Sequence, residues 1–122
     1  MLLDSYAWVE FLNASEKGTA VAKIIRENDC FTSSISIAEI SEWIERENLN
    51  REKTLQVIRE NSRIIEASQE VMELAGILKV VKRKEAKNFG MIDAIILATA
   101  KQYNLKIVTG DRHFAGENCL FL

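Results

Sequence analysis

Four acids lie where the chain changes from one kind of segment to another. Asp4 follows the apolar start Met1-Leu2-Leu3, and Asp111 follows Ile107-Val108-Thr109-Gly110. Asp93 comes just after Gly90 at the head of an apolar run, and Glu39 comes soon after Cys30-Phe31-Thr32. Each has an ordinary local use. Asp4 suits a helix N-cap, and Glu39 is the fourth residue of a capping box opened by Ser36. Asp93 suits a first helical turn, where the helix dipole favours a carboxylate, and Asp111 suits a turn. If the strands run parallel, however, all of them reach one edge of one sheet. Like charges about 4 Å apart repel by roughly 4 kcal/mol per pair at an effective dielectric of about 20. A chain selected only for folding would disperse them.

The common reason to gather carboxylates is a hard divalent cation bound through oxygen. Mg²⁺ or Mn²⁺ suits this set, because no cysteine or histidine cluster is available for a softer metal. An ion of that kind acidifies water and stabilises charge on a phosphoryl group, so the chemistry implied is hydrolysis of a phosphate ester. No histidine base and no serine triad accompany the acids; His113, the only histidine, reads as a solvated loop residue. Ser5 and Thr109 are placed either to orient a carboxylate or water or to make local cap and turn bonds.

The elements that must position these residues alternate along the chain. Met91 to Tyr103 is apolar on nearly every side and reads as a buried helix. Gly90 breaks the chain before it, and Asn104 suits the left-handed conformation that ends helices. Leu105 to Val108 then reads as a strand. Upstream, a strand at Met1-Leu2-Leu3 leads into a helix over Ser5 to Asn13, and Thr19 to Asn28 forms a second. Cys30-Phe31-Thr32 is the second strand, followed by a helix from Ser36. Asn50 caps a helix to about Glu60, Ile64-Ile65 is the third strand, and Ser68 caps a long helix ending in the basic stretch Lys79 to Lys87. Cys119 to Leu122 closes the chain as a strand. Strands alternating with helices imply an α/β fold: a mainly parallel sheet with helices on both faces.

At 122 residues the chain suits one domain, 1–122, with a real core. Its net charge of −2 offers no global field for nucleic acid, so any such binding needs a local patch. No apolar run approaches the about 20 residues of a membrane span, and the start lacks a secretory pattern. A cytoplasmic protein follows, with Cys30 and Cys119 as unpaired thiols.

Together, Leu3-Asp4-Ser5, the early-helix Glu39, Asp93-Ala94-Ile95-Ile96-Leu97-Ala98-Thr99-Ala100 and Ile107-Val108-Thr109-Gly110-Asp111-Arg112-His113-Phe114 resemble the PIN-domain family. The nearest likeness is to VapC-type toxins of toxin–antitoxin pairs. The resemblance implies a three-layer α/β/α sandwich whose five-stranded sheet has the order 3-2-1-4-5. It implies an endoribonuclease dependent on Mg²⁺ or Mn²⁺, with Asp4, Glu39, Asp93 and Asp111 as metal-binding catalytic acids and Thr109 as the hydroxyl before the last of them. It also implies a homodimer and an antitoxin packed into a groove, for which Trp8, Phe11 and Trp43 are candidates unless they are core aromatics. RNA would need cations beside the acids, and Lys82, Arg83 and Lys87 either line that approach or form a solvated face. The alternative is a non-catalytic RNA- or partner-binding module whose acids are only caps. Other α/β phosphohydrolases fit poorly. The position two after Asp4 is Tyr6, not a second Asp; Lys106 lies inside a strand, not after it; and Asp4-Ser5-Tyr6-Ala7 is no glycine-rich nucleotide loop.

Overall fold

The structure, a computed structural model, describes residues 1–122. Its elements in chain order are β1 (Leu2–Leu3), α1 (Ser5–Leu12), α2 (Glu16–Glu27), β2 (Phe31–Ser33), α3 (Ser34–Arg46), α4 (Arg51–Asn61) and β3 (Arg63–Ile65). They continue with α5 (Gln69–Lys82), α6 (Met91–Tyr103), β4 (Ile107–Thr109), a 3-10 turn (Arg112–Phe114) and β5 (Cys119–Phe121). The strands form one five-stranded sheet in the order β3-β2-β1-β4-β5. Every pairing is parallel. The expected architecture and strand order are therefore the ones found.

Successive strand residues point to opposite faces, and the short central strands divide the core in that way. Leu2 and Ile107 pack with α5 and α6 residues such as Val71, Ala75 and Ile96. Leu3 and Val108 pack on the other face, with Ala7 and Trp8 of α1, Val21 of α2, Ile40 and Ile44 of α3 and Ile58 of α4. Helices thus cover both faces of the sheet. Cys30 and Cys119 are free, and the strands they adjoin are separated by β1 and β4.

The helix ends follow local chemistry. Ser15, Asn50 and Ser68 each accept a hydrogen bond from the backbone N–H three residues on, at Gly18, Lys53 and Val71. Asn104 ends α6 in the left-handed region, at φ 51 and ψ 51. The start of α3 departs from expectation. Ser33 is its N-cap, accepting from Ile35 N–H, so the helix opens before Ser36. Ser36 is buried and its hydroxyl has no partner. The Ser36–Glu39 capping box therefore does not form, and Glu39 sits in the second turn with its carboxylate free for other work.

At Gly18 the backbone of α2 lies close against that of α1. A Cβ built there would lie 2.1 Å from the Glu10 carbonyl oxygen, which is backbone and cannot swing aside. Gly18→Ala is expected to destabilise the protein by roughly 1–3 kcal/mol, the usual cost of overpacking, even though alanine favours helix. Chemical denaturation checks this. A variant as stable as the parent would show that the helices separate freely.

Candidate metal centre

The sheet order decides which acids meet. β1 and β4 are neighbours at the middle of the sheet, with Leu3 beside Val108. Their carboxyl ends therefore deliver Asp4 and Asp111 to adjacent positions, where open parallel sheets place their ligands. The start of α6 brings Asp93, and the second turn of α3 brings Glu39. All four line one cavity of about 320 Å³, together with Ser5, Tyr6 and an apolar wall that includes Ile96 and Phe114.

Each acid is held by short bonds. Asp4 accepts from Ala7 N–H at 2.9 Å as the N-cap of α1. The Thr109 hydroxyl also donates to it and accepts from Asp111 N–H at 2.9 Å. The Ser5 hydroxyl donates to Glu39 Oε1 at 2.9 Å. Gly90 N–H donates to Asp93 Oδ2 at 3.0 Å. His113 N–H donates to Asp111 Oδ1 at 2.9 Å, which closes the 3-10 turn. The local uses of Asp4, Asp93 and Asp111 are therefore real, and they coexist with convergence on one cavity. The Ser5 hydroxyl thus bonds a carboxylate of the cluster, while Thr109 also makes a local turn bond with Asp111 N–H, so it takes part in both of the uses open to it.

Their charge is unbalanced. No lysine or arginine forms a salt bridge with any of the four. Burial pushes the Asp4 carboxyl up to about 6, and the nearby charges of Glu39 and Asp111 add to this against the Thr109 and Ala7 bonds. Burial likewise raises Glu39 above its ordinary value, with Asp93 and Glu42 adding and the Ser5 bond opposing. A set of oxygen donors, pre-positioned, partly buried and without a cationic side chain, is what a hard divalent ion requires.

One residue of the centre escaped the sequence reading. His113 is no solvated loop residue: its Nδ1 lies 3.3 Å from both Asp93 Oδ2 and Asp111 Oδ1. The Asp111 cap and the buried Phe114 fold the turn back so that the ring faces the acids. The only sequence signal was its position two residues beyond Asp111. Tyr6 is a second addition. Its ring lies against Gly110, where a Cβ would come within 2.2 Å of it, and Lys17 Nζ donates to its hydroxyl at 2.9 Å.

Two other expectations change. Lys82 is no free cation, because its side chain is only 11% exposed and pairs with Glu117 at 3.3 Å. Arg83 donates from Nε to the Phe89 carbonyl but remains exposed, as does Lys87. Trp8 is fully buried and donates to Thr32 Oγ1, so it cannot line a groove. Trp43 does edge a second cavity, of about 430 Å³, which shares Ser5, Tyr6 and Glu39 with the first.

An all-parallel sheet in this order, with carboxylates gathered at its carboxyl edge, defines the PIN-like class of α/β folds. The PIN domain family model matches residues 1–116, and the chain belongs to that family. No curated protein sequence matches it directly. Among solved structures it is similar to a toxin–antitoxin complex from Klebsiella pneumoniae: 25% identity, TM-score 0.75, covering 98% of this chain and 94% of that one. It is also similar to VapBC2 from Rickettsia felis bound to a promoter DNA fragment, with 17% identity, TM-score 0.78 and 99% and 97% coverage. A third, VapC20 from Mycobacterium tuberculosis, described as a sarcin–ricin loop cleaving toxin, has 13% identity, TM-score 0.70 and 87% and 85% coverage.

Proposed function

We propose that this chain is a divalent-metal-dependent endoribonuclease and the toxin of a toxin–antitoxin pair, acting as one domain in the cytoplasm. The observation that carries this is the convergence of Asp4, Glu39, Asp93 and Asp111 on one cavity with no lysine or arginine paired to any of them. The PIN fold and its toxin relatives supply the context. Asp4, Glu39, Asp93 and Asp111 would hold Mg²⁺ or Mn²⁺. When bound, such an ion supplies Lewis acidity at phosphorus and a lowered pKa for water.

The chain's own residues fix the geometry in advance. Thr109 and Ala7 set the Asp4 carboxyl, Ser5 sets Glu39, and Gly90 sets Asp93. Carboxylates held this way need no reorganisation when a phosphodiester arrives. The antitoxin groove falls to the Trp43 cavity, which opens beside the centre. Ile77, Val80 and Val81 stand exposed on α5 and supply apolar surface for a homodimer. No helix is long and apolar enough to cross a membrane.

The test is cleavage of a mixed RNA substrate by the purified protein with Mg²⁺ or Mn²⁺, and with a chelator. Cleavage that needs the ion supports the reading; cleavage indifferent to chelator rejects it. The competing reading, a binding module without catalysis, draws on the capping roles of Asp4, Asp93 and Asp111. It expects RNA or partner binding with no cleavage in any buffer.

Substrate approach falls to exposed cations near the start of α6. Changing Arg83 and Lys87 to Gln is expected to weaken RNA binding and flatten its dependence on salt. With about 0.7 of slope per phosphate contact on a single strand, the change in slope is roughly 1.4. Lys82→Gln should act instead on stability, through the Glu117 pair. An unchanged slope in the double variant rejects this patch.

A further inference from the structure

We propose that His113 is a nitrogen ligand of the cation at this centre, and that it turns the site's preference from Mg²⁺ towards first-row transition ions such as Mn²⁺ and Co²⁺. This rests on the reading that the centre binds a divalent cation. His113 Nδ1 lies 3.3 Å from Asp93 Oδ2 and 3.3 Å from Asp111 Oδ1. Neighbouring ligands of an octahedral ion, each roughly 2.1 Å from it, lie about 3 Å apart. The observed spacing is close to that. One ligand atom from each of Asp93, Asp111 and His113 falls within 4.8 Å of the others, so the three form one triangular face able to cap a single ion.

The ring is placed there by the backbone. Asp111 caps the 3-10 turn, His113 N–H donates to it, and the buried Phe114 anchors the turn from below. The ring's one hydrogen bond is to Asp93, and its only other polar contact is with Asp111. The Asp93 and Asp111 carboxylates each retain an oxygen that accepts no bond from the protein. An imidazole in a set otherwise made of oxygen donors changes selectivity. Mg²⁺ takes oxygen ligands and water, whereas nitrogen donors favour transition ions.

The bland alternative is an imidazolium that merely pairs with Asp93 and Asp111. The two roles have opposite consequences for the ion. A ligand adds affinity, and its removal weakens binding. A paired imidazolium occupies the same space and repels the ion, and its removal strengthens binding.

The experiment uses the full chain, its His113→Ala and His113→Gln variants, and Mn²⁺, Co²⁺ and Mg²⁺ as probes. Calorimetric titration gives each affinity, and pulsed EPR of the Mn²⁺-loaded protein reads directly bound nitrogen. Loss of an outer partner of a metal ligand already costs roughly 10- to 100-fold in affinity. The expected result is therefore a fall of at least about tenfold for Mn²⁺ and Co²⁺ in both variants, with a smaller fall for Mg²⁺. Nitrogen coupling should appear in the parent protein and vanish in the variants. Absence of that coupling in the parent overturns the proposal without reliance on any variant. Equal falls for all three ions, or tighter binding on removal of the ring, also overturn it while leaving the metal centre intact. No binding of any ion by the parent protein overturns the metal centre itself.

Discussion

Asp93→Asn is expected to lower RNA cleavage by on the order of a thousandfold and to leave the protein folded. A carboxylate that holds the catalytic ion accounts for several kcal/mol of stabilisation where charge develops, and each 1.4 kcal/mol is about tenfold in rate. The amide substitution is chosen because it spares the local structure. Gly90 N–H donates to Asp93 Oδ2, and an asparagine oxygen can still accept that bond. Asp4→Asn should behave the same way. Asparagine is as good an N-cap as aspartate, so the Ala7 bond survives, and the Thr109 hydroxyl still has an acceptor. Rates measured under single-turnover conditions with saturating Mg²⁺ or Mn²⁺ separate chemistry from product release. Circular dichroism confirms that each variant is folded. Full activity in either variant would sink the assignment. A large loss that comes with unfolding would point to the capping role instead.

The sequence revealed most where one physical requirement ruled out the alternatives. A helix apolar on nearly every side has to be buried, and α6 is buried from Ala94 to Ala100 while Met91, Ile92 and Tyr103 at its ends are exposed; Asn104, tolerant of positive φ, ends it. Short apolar runs alternating with helices left a parallel sheet as the natural reading, and the delivery of all four acids to one edge of it followed from that. The reading failed where several residues could do the same local job. Ser33, Ser34 and Ser36 can all cap a helix; Ser33 and Ser36 are equally buried, and the choice of Ser33 follows from where β2 ends. That choice is what releases Glu39 to the cavity.

The other departures have the same character. Lys82 lies in a run of basic residues that read alike along the chain, and only the return of the C-terminal segment places Glu117 beside it. Trp8 is amphipathic enough for a groove or a core. The partner that decides, Thr32, comes from a strand 24 residues away. His113 is a lone histidine in a polar segment until the turn it belongs to is drawn. Long-range pairing settles each of these cases, and none leaves a periodic mark in the sequence.

Without divalent cations, the difference in stability between the parent protein and Asp4→Asn should depend strongly on pH. The Asp4 carboxyl titrates at about 6 in the folded chain, against an ordinary 3.8. Between those values the native state holds a proton that the unfolded chain has lost. Stability therefore falls as pH rises through that window. Below about pH 4 both states are protonated and Asp4 costs nothing. Above about pH 6 both are ionised and the full cost of a buried, unbalanced charge is present. At 1.36 kcal/mol per pH unit that cost is about 3 kcal/mol, and Asp4 is only 7% exposed, so solvent screening relieves little of it. Asp4→Asn has no such charge, so in chelator it should be the more stable protein at pH 7.5, by up to roughly 10 °C in melting temperature, and the two should converge near pH 4. Glu39 is shifted in the same direction, so the variant keeps a weaker pH dependence of its own. A divalent ion then narrows the difference. It stabilises the parent by about 2.7 kcal/mol at a hundred times its dissociation constant, and it stabilises the variant less, because a ligand is gone. Denaturation curves at pH 4, 6 and 7.5, with chelator and with Mn²⁺, measure both effects. If the two proteins differ by the same amount at every pH and in either buffer, Asp4 is an ordinary helix cap, and the balance of charge proposed for this cavity is wrong.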